Sequence, residues 1–187
     1  MRTRALFSLI SVLALGACAK QENAAEVAAI ASLQQQVQEL QAREAIRDLF
    51  AAYGRTLDNR DFHAFGHLFA KNSEYVGGGN MGTSHGPEEI AAALEKVITA
   101  NATGANLHMY ANEKITLTSA DSATATSRGA FYVQDEKGGP KPLMWATYID
   151  RFVREDGEWK FQSRQVVGDI PGPSNESVAQ DRKNMKF

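Results

Sequence analysis

Apolar residues recur at three- and four-residue steps through the first half of the chain and give way, after Asn106, to β-branched and aromatic runs. Ile46, Leu49, Phe50, Tyr53 and Leu57 mark one buried face of a helix. Asp61 then suits the N-cap of a short second helix that turns Phe62, Phe65, Leu68 and Phe69 inward. "SEYVGGG" is a short strand entering a glycine-rich loop. "HGPEEIAAALEKVITAN" is a third helix, with Pro87 in its first turn and Glu88 and Glu89 where the helix dipole favours acids. Four strands follow, around 106–118, 123–134, 143–154 and 158–167, joined by the turn-forming "SADS", "EKGGPK" and "EDGE". Short connections make them antiparallel neighbours. The expectation is an α+β fold: three N-terminal helices on one face of a strongly curved, mostly antiparallel sheet. From Pro171 the composition turns to Pro, Gly, Ser and mixed charge, which reads as a loose tail over 171–187.

Upstream of Glu44 the pattern differs. Residues 18–43 are rich in Ala, Gln and Glu without Gly or Pro, and read as a helical stalk. Ile30, Leu33, Val37 and Leu40 hold heptad spacing until Glu44 interrupts it, so the run falls short of the three or four heptads that define a coiled coil. Before the stalk, Arg2 and Arg4 precede the apolar "ALFSLISVLAL" and the small residues of "LGAC", the layout of a processing signal over 1–17. This apolar run is shorter than the roughly 20 residues of a permanent span. "LGAC" resembles the bacterial lipobox, which implies lipidation of Cys18, membrane attachment through it and a periplasm-facing envelope location. Ala19 favours the outer membrane. The alternative is an ordinary cleavable signal with a chance cysteine.

Composition removes some classes. The 187 residues are 43% hydrophobic and 22% charged, enough for a core, and the net charge of −2 supplies no basic footprint for nucleic acid. His63 and His67 have the spacing of a metal pair, but no acid or cysteine cluster completes a ligand set, and no metal is expected.

The stretches "YGRTLDNRDFHAFGHLFAKNSEY", "NLHMYANEKI" and "YIDRFVREDGEWKFQSRQV" resemble the SnoaL-like group of the nuclear transport factor 2-like superfamily over about Glu44 to Ile170. The resemblance implies a cone-shaped α+β barrel, in which a curved sheet wraps a pocket closed by helices. That group includes dehydratases, isomerases, cyclases and non-catalytic subunits, so fold alone leaves function open.

Residue by residue, the resemblance to its scytalone-type and bile-acid-type dehydratases implies that Tyr53 and Asp58, five apart at the end of a helix, enter the pocket. His108 in "NLHMY" matches the histidine paired with that aspartate. Asp58 has no capping role at a helix C-terminus, and its other reading is a solvent-exposed turn residue. For His108 the other reading is a satisfied core or surface histidine. A carboxylate beside the imidazole would fix its tautomer and raise its basicity. Tyr75 matches a pocket tyrosine, or is an ordinary strand aromatic. Arg164 matches a pocket arginine for an anionic or enolate oxygen, or forms a salt bridge to Asp150 or another acid. Arg128 and Tyr132, four apart in a strand, share a face and are read as inward. His85 is read as loop surface, and glycines occupy the positions where ketosteroid isomerases carry their base.

The combined reading is a lipid-anchored domain binding a small apolar carbonyl compound, as a cofactor-independent dehydratase with an Asp58–His108 dyad. Its alternative is a non-catalytic hydrophobic-ligand-binding or dimeric assembly module, and a homodimer is expected in either case.

Overall fold

The computed structural model describes residues 6–78, 81–102 and 104–170, with side chains from Asn23 onward. The processing signal expected over 1–17 and Cys18 fall on residues whose side chains lie outside that description, and the tail 171–187 lies outside it altogether. Among the described residues no helix is long and apolar enough to cross a membrane. Two compact units divide between Gln41 and Ala42. Helix α1 (Leu6–Asp58) is a single helix of 53 residues, consistent with the absence of Pro and, between Gly16 and Gly54, of Gly. In the first unit Val27, Ile30, Leu33, Val37 and Leu40 are all exposed.

In the second unit the end of α1 lays Ile46, Leu49, Phe50, Tyr53 and Leu57 into the core, the face its spacing marks out. α2 (Phe62–Gly66) is one short turn contributing Phe65, and α3 (Gly86–Asn101) contributes Ile90, Leu94 and Ile98. Strands β1 (Phe69–Val76), β2 (Thr83–His85), β3 (Asn106–Leu117), β4 (Ser122–Gln134), β5 (Pro140–Glu155) and β6 (Glu158–Ile170) form one sheet in the order β2-β1-β6-β5-β4-β3. All neighbours are antiparallel except β1 and β6, which run parallel. His85 is exposed at the end of β2, where it precedes α3.

Irregular register bends the sheet. β3 slips against β4 between Ala111 and Lys114, where Asn112 has φ 59°, and further slips lie at Phe131/Tyr132, Trp145/Ala146 and Arg151/Phe152. Bulges of this kind add twist and re-aim side chains. The β5–β6 hairpin turns on Asp156 and Gly157, both at positive φ, with Glu155 paired to Glu158. That is the two-residue geometry whose twist matches antiparallel strands.

Between α1 and α2 the polar residues act as punctuation. Asp61 is the N-cap of α2 and accepts from the Ala64 N–H at 2.9 Å. Asp61→Ala is expected to cost about 0.5 to 2 kcal/mol in urea unfolding. An Asp61→Ser variant that lost as much would rule out the cap as the cause.

Candidate active site

α1 ends at Asp58 in a motif that exposes its carboxylate to the neighbouring strand. Arg60 adopts φ 58°, its N–H donates to the Leu57 carbonyl at 3.1 Å, and the Asp61 N–H reaches back to the Thr56 carbonyl at 2.8 Å. These are the two closing bonds of a Schellman C-cap. The Arg60 guanidinium then donates to the carbonyls of Ala102 and Gly104, in the connection that leads into β3. The turn after Asp58 and the approach to His108 are thus tied together by one side chain.

Along β3, Asn106, His108 and Tyr110 alternate with the exposed Leu107 and Met109, so they share the face turned toward α1. His108 Nδ1 lies 2.7 Å from Asp58 Oδ1. The same carboxylate accepts the His108 backbone N–H at 3.1 Å and Asn106 Nδ2 at 2.8 Å. With side-chain exposures of 8% for His108 and 19% for Asp58, the pair is shielded but reachable. An ionised Asp58 can only accept, so Nδ1 carries the proton and Nε2 is the basic nitrogen. No described residue engages Nε2. Stacking on Phe131 at 4.2 Å and 14°, with Tyr53 edge-on at 6.5 Å, fixes the plane of the ring. Asn106 was not singled out from sequence, although its two-residue spacing from His108 is the strand period that would have found it.

Behind the dyad lies a buried ion pair. Arg164 on β6 is opposite Asp150 on β5 and donates to it through Nε at 2.8 Å and Nη2 at 2.9 Å, both side chains being 0% exposed. Of the two readings from sequence, the structure shows the ion pair. Nη1 has no acceptor among the described residues, and aromatic rings surround the guanidinium instead. Its carbon is 4.2 Å from the Tyr53 ring, 4.3 Å from Phe161, 4.8 Å from Tyr148, 5.3 Å from Phe50 and 5.5 Å from Tyr110. Desolvation works against the guanidinium charge, and Asp150 more than offsets it, holding Arg164 protonated. Burial pushes the Asp150 carboxyl up, with Arg164 opposing.

Tyr75 on β1 sits beside Arg164 in the parallel ladder, and its hydroxyl meets that of Tyr53 at 3.1 Å. In such a pair one phenol donates to the other, and the second keeps a proton to give. Burial raises Tyr53, Tyr75, Tyr110 and Tyr148, so all four remain phenols at neutral pH. Gly129, across from Tyr110, makes room for this cluster: a Cβ there would lie 2.6 Å from the Tyr148 ring.

Arg128 and Tyr132 do not join the site. They share a face, as their spacing requires, but it is the outer one: Ser127, Phe131 and Val133 are the buried residues of this part of β4. Arg128 pairs with Asp169 at 2.7 Å, and Tyr132 meets Trp145 at 6.3 Å. Tyr132 also lines an outer apolar groove of about 410 Å³ with Leu107 and Met109. His63 and His67 have ring centroids 4.6 Å apart and line a separate cleft of about 590 Å³ beside α3. Among the described residues no three His, Cys, Asp or Glu side chains form a metal-binding group.

Among curated proteins none matches this chain. Solved structures share its fold. An NTF2-like protein with a cystatin-like fold from Novosphingobium aromaticivorans is 21% identical, with 83% of this chain and 96% of that one covered at a TM-score of 0.68. A putative scytalone dehydratase from the same species is 22% identical, covering 71% and 87% at 0.63. The type 3 hexachlorocyclohexane dehydrochlorinase LinA of Novosphingobium barchaimii is 22% identical, covering 72% and 90% at 0.61. At such identities the likeness is one of fold. The family model of the SnoaL-like domain covers residues 38–165, which hold Asp58, His108 and the buried Arg164 alike, and the chain belongs to that family.

Proposed function

We propose that the domain is a lyase that eliminates a small leaving group, water or halide, from a small apolar compound whose acidic C–H is activated by a carbonyl or a halogen. The observation that carries this reading is the oriented dyad: Nδ1 of His108 is committed to Asp58 and Nε2 is left unengaged. In the step, Nε2 takes the proton from carbon, the C–H electron pair becomes a carbon–carbon double bond, and the leaving group departs with its bonding electrons. Asp58 holds the tautomer and stabilises the imidazolium, which returns its proton to solvent. In this reading the spare phenolic proton of the Tyr53–Tyr75 pair assists a departing or enolate oxygen. The elimination is redox-neutral and calls for no cofactor. Two fold neighbours named for the loss of water and of hydrogen chloride add support by analogy alone.

The test is turnover of β-hydroxy carbonyl and β-halogenated compounds in heavy water, followed by mass spectrometry. His108→Gln should lower elimination and α-carbon deuterium exchange by about 10²- to 10⁴-fold, the usual contribution of a positioned base. Asp58→Asn presents an amide N–H to three donors, and should lower both rates while thermal melting reports the folded fraction. Full activity in both variants would end this reading. A bound compound recovered unchanged, without exchange, would instead identify a hydrophobic-ligand carrier, the reading favoured by the engagement of Arg164 with Asp150.

A further inference from the structure

We infer that residues 30–40 of α1 form the seam of a parallel, in-register, two-stranded coiled coil with a second copy of this chain. Val27, Ile30, Leu33, Val37 and Leu40 are 51% to 66% exposed, an apolar stripe on a helix whose other surface is Ala, Ser, Gln and Glu. With Ile30 placed at heptad position a, Val37 also falls at a, and Leu33 and Leu40 fall at d. β-branched residues at a with Leu at d are the combination that favours two parallel strands over three or four. Val27 falls at e beside this seam, and the preceding a and d positions are Asn23 and Glu26, polar residues that bound the seam at its start. The flanking e and g positions between these layers are Gln34, Gln36 and Gln41. Uncharged edges put no like charges opposite each other when identical chains meet, and they offer no ionic code for selecting a different partner. Glu44 and Arg47, at the next a and d, pair with each other at 3.1 Å and end the seam.

Two heptads are short for a free peptide, because such a peptide has to fold as it associates. Here α1 is continuous from Leu6 to Asp58, and its last turns are fixed in a hydrophobic core. The helix-nucleation cost is met by the fold, so association is charged only for bringing two preformed helices together. The seam is independent of the elimination chemistry.

Disulfide trapping in the full-length chain tests both the partner and its direction. Leu33→Cys and Leu40→Cys, made singly, should each give about tenfold more covalent dimer than Gln35→Cys at the outward f position. The wild-type chain, whose sole cysteine is Cys18, sets the background. A parallel seam brings both d positions opposite themselves, whereas an antiparallel one brings at most one. Val37→Glu should convert the sedimenting species from dimer to monomer while the near-ultraviolet circular dichroism of the domain stays unchanged. Trapping at only one d position would overturn the parallel arrangement. A wild-type chain that sediments as a monomer, or as a dimer trapped at neither position, would overturn the seam and assign the stripe to another protein or the dimer to another surface.

Discussion

Asp150→Leu is expected to cost the domain about 3 to 5 kcal/mol of folding stability at neutral pH, and Arg164→Met distinctly less. Each substitution removes half of the same bidentate pair. The difference lies in what the surviving group can do. A guanidinium cannot discharge itself within the range of protein stability, so an orphaned Arg164 stays charged at 0% exposure, with only rings around it. An orphaned Asp150 can take a proton. Burial already pushes its carboxyl up, and losing Arg164 removes the one influence pulling it down. In Arg164→Met the folded state therefore binds a proton that the unfolded chain releases near pH 4. With the folded value raised, stability is fully present below about pH 4 and falls as pH rises through the folded value. Urea unfolding of both variants from pH 4 to 8 checks this: Arg164→Met should gain relative to wild type as pH falls, and Asp150→Leu should not. The double variant, apolar on both strands, should recover much of the loss. Equal losses in the two single variants, flat with pH, would refute the account.

Alkaline conditions are expected to unfold the domain abruptly above about pH 10. Burial holds Tyr53, Tyr75, Tyr110 and Tyr148 protonated beyond the ordinary phenol range, with the charge of Arg164 opposing in each case. In the unfolded chain these phenols ionise near pH 10. Between that point and the folded values the native state binds more protons than the unfolded one, so stability falls as pH rises. Each tyrosine contributes about 1.4 kcal/mol per pH unit to the slope. Four acting together reach about 5.5 kcal/mol per unit, comparable with the whole stability of many domains. Far-ultraviolet circular dichroism and phenolate absorbance of the same sample should change together. Gradual ionisation of these rings in a protein that keeps its secondary structure would contradict their enclosure.

Much of the fold was legible because local patterns state which face of an element is apolar. The inward face of α1, the Asp61 cap and the "EDGE" hairpin all follow from neighbours within a few residues. β2 has three residues and no apolar alternation, so nothing in "TSH" announces a strand. The parallel pairing of β1 with β6 joins segments some ninety residues apart, and only tertiary packing selects it. At the site, spacing and resemblance pointed to Asp58 and His108, which the fold brings to 2.7 Å. Asp150 was named only as a conceivable partner of Arg164, since register decides which acid faces it. For Arg128 and Tyr132, periodicity gave the shared face without saying which side it was. Ser127 beside Arg128 and Phe131 beside Tyr132 make either side plausible until the helices choose one.

Arg60 also carries a rule about length. Its guanidinium holds the turn after Asp58 to the carbonyls of Ala102 and Gly104, so chain inserted between α3 and β3 would either strip this clamp or carry Asn106 and His108 away from the carboxylate they serve. The β4–β5 connection carries only a longer tie at its base, Gln134, whose side chain donates to the Gly138 carbonyl and accepts from the Ala105 N–H, each at 3.4 Å. There Asp135 closes only its own turn, accepting from the Lys137 and Gly139 N–H groups. Grafted loops and reporter tags belong at that hairpin. The room this scaffold has for new chain is apportioned by the reach of one arginine.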